Sequence, residues 1–234
     1  DLDVDGTTNL DVVDIDGAVD IAGNLSVDGG TIKLDGNYPN ETQNVALGDT
    51  ALDSLTSGGD YNVAIGHAAL TANTSGERNS ALGRTALTAN TTGDFNTGIG
   101  MSALGANTTG SQNTAVGQAS LDANTTADDN TAVGYASLGA NTTGASNTAV
   151  GKDALTANTT ASNNTAVGKS ALAANTEGTG NSALGQNSLD ANTTGDYNTA
   201  IGKQSLSTNT TADNNTALGY RALYLNTTGA GNVA

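Results

Sequence analysis

Apolar and polar positions along this chain recur with a seventeen-residue period. The segment Asn-(Thr/Ser/Val)-(Ala/Gly)-(Val/Ile/Leu)-Gly opens at Asn44, Asn62, Asn79, Asn96, Asn113, Asn130, Asn147, Asn164, Asn181, Asn198 and Asn215, and starts again at Asn232. The first step is eighteen residues and every later one seventeen. A fixed short period means one supersecondary unit stacked on copies of itself. Counting each unit from its Asn, position 9 is a Leu column running from Leu70 through Leu121, Leu138 and Leu155 to Leu223. Position 4 is a second apolar column, from Ile65 through Val116, Val133 and Val150 to Leu218. Both columns are expected to form buried ladders. A second Asn at position 12, as in Asn124 and Asn141, adds an expected amide ladder beside that of Asn113 and Asn130. Gly at position 5, as in Gly117 and Gly134, suits a bend that needs positive φ.

The segment from Gly to the second Asn, as in Lys152-Asp153-Ala154-Leu155-Thr156-Ala157, is far too short for a stable helix. Thr-Ala-Val and Ala-Leu-x-Ala runs bounded by Gly and Asn read as short strands. The expected fold is an all-β parallel solenoid or β-roll of seventeen-residue coils, with one helical turn per coil as the alternative. Coils stacked about 4.8 Å apart would make eleven of them a rod on the order of 50 Å long. Positions 3 and 4 are both apolar and lie on opposite faces of a strand, as positions 8 and 9 would. Burial of both faces predicts that one lines the coil and the other meets a neighbouring subunit. One Val and one Leu per coil is also a thin core for a lone protomer.

Charge sharpens the division. Within the array Arg78, Arg84, Lys152, Lys169, Lys203 and Arg221 all fall at positions that vary between copies, and no charged residue stands at positions 2–5, 8, 9, 12 or 13. Positions 6, 7, 10, 16 and 17 are therefore the expected solvent-facing ones. Residues 1–36 differ: a looser repeat alternates Val, Ile and Leu with Asp, and reads as an acidic β-rich segment closed by Asp-Gly turns. Residues 37–43, with Pro39, read as a junction, and 44–234 as the array. Asp1 at the start and the cut-off copy at Asn232 suggest a segment of a longer protein.

Composition removes several classes. The chain has no Cys and one His, so thiolate metal sites and disulfides are excluded and a zinc or iron site is not expected. A net charge of -16 argues against nucleic acid. No apolar run approaches the roughly 20 residues of a membrane helix, so membrane insertion is not expected. With aromatics at only 3 %, packing must come from regular stacking of small residues.

Five sharper readings compete with structural ones. Column 16 carries Asp94, Asp128, Asp196 and Asp213, and carboxylates about 5 Å apart are what a retaining glycosidase uses. The column also holds Ser, Ala and Thr, so a solvated edge is the expectation. Asp3-Asp5 and Asp14-Asp16 invite calcium but lack the rest of a calcium loop, so no cofactor is expected. Asn73-Thr74-Ser75 and Asn90-Thr91-Thr92 match glycosylation sequons, which a packed Asn ladder explains equally well. Thr108-Thr109 and Thr142-Thr143 are adjacent beside a turn, unlike the Thr-x-Thr pairs of ice-binding solenoids. Tyr61, Phe95, Tyr135, Tyr197, Tyr220 and Tyr224 sit at variable positions, where they are candidates to stack on sugars.

The unit Asn-Thr-Ala-Val-Gly-x-x-Ala-Leu-x-x-Asn-Thr-Thr-Gly resembles repeats of bacteriophage tail fibres, as do Asp3-Val4-Asp5-Gly6-Thr7-Thr8 and the passage from Ile32 to Pro39. Asn62-Val63-Ala64-Ile65-Gly66 is similar to the core of the shorter head repeat of trimeric autotransporter adhesins (YadA-like). The resemblance implies a homotrimeric, non-enzymatic fibre shaft in a virion or on an extracellular surface. Such a shaft would hold a receptor-binding tip at a distance, among neighbouring fibre or virion proteins. The alternatives are an adhesin head that binds host-surface glycan or protein through its variable columns, and a polysaccharide-degrading tailspike.

Overall fold

The computed structural model of the chain describes residues 43–56 and 58–234. Within them the protein is all-β and has no helix: eleven three-residue strands form one parallel sheet in sequence order, one strand per coil. They are β1 (Val45–Leu47), β2 (Val63–Ile65), β3 (Ser80–Leu82), β4 (Thr97–Ile99), β5 (Thr114–Val116), β6 (Thr131–Val133), β7 (Thr148–Val150), β8 (Thr165–Val167), β9 (Ser182–Leu184), β10 (Thr199–Ile201) and β11 (Thr216–Leu218). Each is positions 2–4 of a unit, and like positions pair: Thr114 with Thr131, Ala115 with Ala132, Val116 with Val133. The fold is a β-solenoid whose coil is the seventeen-residue repeat. The calcium reading at Asp3-Asp5 and Asp14-Asp16, the acidic segment 1–36 and junction residues 37–42 lie outside the described residues.

The remainder of each coil is not extended. The Ala-Leu-x-Ala stretch, expected as a strand, is a run of turns in which positions 7 and 9 adopt left-handed backbone: Ala119 at φ 53° and Leu121 at φ 51°, Ala136 at 52° and Leu138 at 50°. Alternation reverses the direction of successive N–H groups. Ala119 N–H donates back to the Met101 carbonyl (3.0 Å), whereas Leu121 N–H donates forward to the Ser137 carbonyl (2.9 Å). The left-handed conformation costs a non-glycine residue about 1–2 kcal/mol. Burying a Leu side chain contributes about 1.5–3 kcal/mol, and the forward hydrogen bond adds to that. Burial wins at every coil.

This local geometry corrects the expected core. Positions 8 and 9 do not lie on opposite faces, because the chain there is not a strand; Ala154 and Leu155 are both fully buried. Position 4 is not a buried ladder. Strand alternation turns Ala115 and Ala132 inward, fully buried, and turns Val116 and Val133 outward, half-buried. The interior is a column of Leu from position 9 filled in by Ala from positions 3 and 8, with Ser replacing Ala at Ser120, Ser137, Ser188 and Ser205. Those serines donate to the position-5 carbonyl of their own coil, as Ser120 Oγ does to Gly117 O (2.9 Å).

Position 5 tolerates only glycine, for two reasons. Gly134 has φ 133°, and a Cβ there would lie 2.7 Å from the Gly151 carbonyl carbon one coil on. Position 10 supplies a contrast: a Cβ on Gly139 would meet nothing closer than the Ala136 carbonyl oxygen at 3.3 Å. Gly134→Ala is therefore expected to lower the denaturant midpoint by the equivalent of roughly 2 kcal/mol or more, while Gly139→Ala leaves it nearly unchanged. Equal effects of the two would show that coil contact at position 5 is not limiting.

Candidate functional surface

Inside the coil wall run two amide ladders, built as the two recurrent asparagines suggest. At position 1 the side-chain oxygen accepts the backbone N–H of the same position one coil on: Asn130 N–H to Asn113 Oδ1 (3.0 Å), Asn147 N–H to Asn130 Oδ1 (3.0 Å). Its amide nitrogen donates across the coil to the position-15 carbonyl, as Asn130 does to Gly144 (2.9 Å). At position 12 the side chains bond to each other, with Asn124 Nδ2 donating to Asn107 Oδ1 (2.8 Å) and Asn141 Nδ2 to Asn124 Oδ1 (3.2 Å). Asn113, Asn124, Asn130 and Asn141 are all fully buried, and no buried side-chain polar atom among the described residues lacks a partner. Thr at position 13 adds a third ladder: Thr125 Oγ1 donates to the Thr142 carbonyl (3.1 Å). The sequons lie in this machinery. Asn73 and Asn90 are fully buried with their amide nitrogens already bonded, so the folded array offers neither for glycosylation.

In the first coil Leu55 occupies position 12 and is buried, and the position-12 amide ladder begins one coil on, at Asn73.

Outside, each strand presents position 2, usually Thr, and position 4, always Val, Ile or Leu. The outward pair is Thr-x-Val, not Thr-x-Thr. Column 4 makes an apolar stripe through all eleven coils, and it is well exposed at Leu82 (48 %), Leu184 (49 %) and Leu218 (69 %).

The aromatic candidates do not converge. Tyr61 and Phe95 stand in column 17 two coils apart with Arg78 between them, its guanidinium 5.2 Å and 5.3 Å from the two ring centres. Tyr135 stands in column 6 under Lys152 (5.4 Å), while Arg221 covers Tyr220 (5.3 Å) and Tyr224 (4.9 Å). Tyr197 lies over Gly180, where its ring leaves no room for a Cβ. Every one of the six thus uses its ring on a residue of its own or an adjacent coil.

Column 16 is more than a solvated edge. Asp94 Oδ1 accepts the Glu77 backbone N–H (2.7 Å), Asp128 that of Ser111 (2.7 Å), Asp196 that of Thr179 (2.7 Å) and Asp213 that of Asp196 (2.8 Å). Ser111 and Ser162 do the same with their hydroxyl oxygens. A short side-chain acceptor here takes the N–H left over one coil earlier. The sequence reading missed this, although preference for Asp and Ser in the column was its signal. Asp196 and Asp213 thus each have one carboxylate oxygen engaged by backbone. Among the described residues no group of three or more His, Asp or Glu is placed to hold a metal ion. No family model, no curated protein and no solved structure matches the chain.

Asp122, in column 10, lies over Gly105, and burial raises its carboxyl above the ordinary value of 3.8. A raised folded pKa means the folded state holds the proton more tightly, so this group favours folding as pH falls and opposes it when ionised. Asp122→Asn is expected to raise the melting temperature at pH 7, with the gain vanishing below about pH 4. Removing a position-1 amide should do the reverse. Asn130→Ala strands the Asn147 N–H, at about 1–3 kcal/mol, while the Gly144 carbonyl keeps the bond from the Asn141 amide. A denaturant midpoint unchanged by Asn130→Ala would refute the ladder as a source of stability.

Proposed function

We propose that this chain is a structural, non-enzymatic fibre segment: the shaft of a phage tail fibre or a similar surface appendage, working in a virion or on an extracellular surface. It assembles as a homotrimer and holds a receptor-binding tip at a distance. The observation that carries the reading is column 4. A solenoid whose own core is Ala and Leu keeps an outward apolar stripe of Val, Ile and Leu through eleven consecutive coils, without one polar or charged exception. Contiguous exposed apolar surface of this length marks an interaction face, and the likeness of the repeat to trimeric fibre and adhesin repeats supports a copy of the chain as its partner. The mechanical logic follows from the ladders: each coil is bonded to both neighbours through backbone, amide and hydroxyl groups, which suits a stiff rod resistant to proteases.

The test uses the whole chain. Sedimentation is expected to give three times the chain mass. The triple variant Val116→Asp, Val133→Asp, Val150→Asp should sediment as a monomer that keeps its β circular-dichroism signal, since the substitutions fall outside the coil. A wild-type chain that is folded and monomeric at micromolar concentration would sink the trimer. Release of oligosaccharide from a host polysaccharide would sink the non-enzymatic reading.

A further inference from the structure

We propose that copies of the chain associate in parallel around an axis along the solenoid, with the acidic column 16 of one copy set against the basic column 6 of the next. The inference rests on the oligomeric reading above and adds which edge meets which, and in what direction.

Following the chain around one coil, columns 16 and 17 come just before the strand and column 6 just after it. They border the apolar stripe on its two sides. Column 6 holds Arg84, Lys152, Lys169 and Lys203, all exposed, together with His67, and its only acid is Asp49. Four of the six Lys and Arg in residues 44–234 therefore stand on this one edge. Column 16 holds Asp60, Glu77, Asp94, Asp128, Asp196 and Asp213 and no cation. Its carboxylates are also oriented in advance, because the hydrogen bonds to the preceding coil fix Asp94, Asp128, Asp196 and Asp213 in place.

Area requires these edges to take part. A strip three residues wide and eleven coils long covers on the order of 500 Å². A stable interface needs about 800 Å² from each partner. The stripe alone falls short, so a stable assembly must recruit its borders.

Symmetry then selects the direction. Rotation about an axis parallel to the solenoid, for two copies or three, brings the column-16 side of one face to the column-6 side of its neighbour. A two-fold axis perpendicular to the solenoid and lying in the interface instead brings column 16 against column 16, carboxylate to carboxylate. Opposed like charges across an interface are unfavourable, and the segregated edges thereby disfavour the antiparallel pair. In parallel register the partners fall in the same coil: Arg84 and Asp94 in the unit opened by Asn79, Lys203 and Asp213 in the unit opened by Asn198. Lys152 and Lys169 have only Ser162 and Thr179 in column 16 of their own coils, so ion pairing is concentrated toward the two ends of the array.

Because the chain lacks Cys, the double variant Lys203→Cys, Asp213→Cys reads this out directly. Column 16 already tolerates a side chain without an acceptor at Ala145 and Ala230, and column 6 is exposed. Mild oxidation is expected to give covalent oligomers of the double variant on a denaturing gel and none of either single variant. A companion set, Arg84→Gln, Lys152→Gln, Lys169→Gln and Lys203→Gln, borrows the Gln found in this column at Gln118 and Gln186. It should weaken assembly at least tenfold at low salt, with the difference narrowing in 1 M salt as screening takes over. An oligomer by sedimentation with no cross-link in the double variant, a cross-link in a single variant, or assembly unmoved by the four Gln substitutions overturns this pairing and leaves the oligomer standing. A folded monomer overturns both.

Discussion

The bond from each position-1 backbone N–H to the Asn Oδ1 one coil earlier is the constraint on which the rest of this structure depends. The strand occupies three of seventeen residues, so the sheet ladder alone leaves most backbone groups of a coil without strand partners. The Asn at position 1 accepts from the neighbouring coil and donates across its own to position 15. It therefore fixes the spacing along the axis and the width of the coil with one side chain. The Asn at position 12 donates to the same position-15 carbonyl and bonds side chain to side chain with its counterparts in neighbouring coils, and Thr at position 13 ties the adjoining carbonyls. A buried amide is costly unless both its ends are satisfied, and stacking identical coils satisfies every one of them by the same geometry. The interior can then be filled by one Leu and two small residues per coil.

That economy has a consequence for the outside. A core of Ala and Leu stabilises a protomer weakly, and column 4 adds no interior burial because strand alternation turns it outward. Column 4 is apolar anyway. An apolar stripe maintained for eleven coils, bordered by an acidic edge that is oriented by backbone bonds and by a basic edge, is a surface with a sense of direction. Function on this reading is a property of columns and not of a pocket, which fits the spread of the six aromatic residues over five coils.

Much of the architecture was legible from residues alone. The period set the coil, the Thr-Ala-Val run set the strand, recurrent Asn at positions 1 and 12 announced ladders, and Gly at position 5 announced a bend with positive φ. These signals survive because stacking repeats each local requirement at a fixed spacing, so a single constrained position shows as a column. Column 16 was readable in principle. Asp and Ser share one property there, a short acceptor within reach of the neighbouring N–H, and variability in identity hid constancy in role.

What sequence could not decide is which apolar columns face inward. Positions 3, 4, 8 and 9 are all apolar, and the choice depends on backbone conformation at each. At β5 and β6 extended backbone separates Ala115 from Val116 and Ala132 from Val133, sending the larger side chains out. At Leu121 and Leu138 left-handed backbone, disfavoured for leucine taken alone, folds positions 8 and 9 to the same side. No local propensity indicates that outcome. Burial of a Leu together with a hydrogen bond to the next coil outweighs the conformational cost, and both exist only once coils are stacked. Sequence by itself determined the repeat, the strand and the ladders; the tertiary structure decided inside from outside, because that decision is made by contacts between coils.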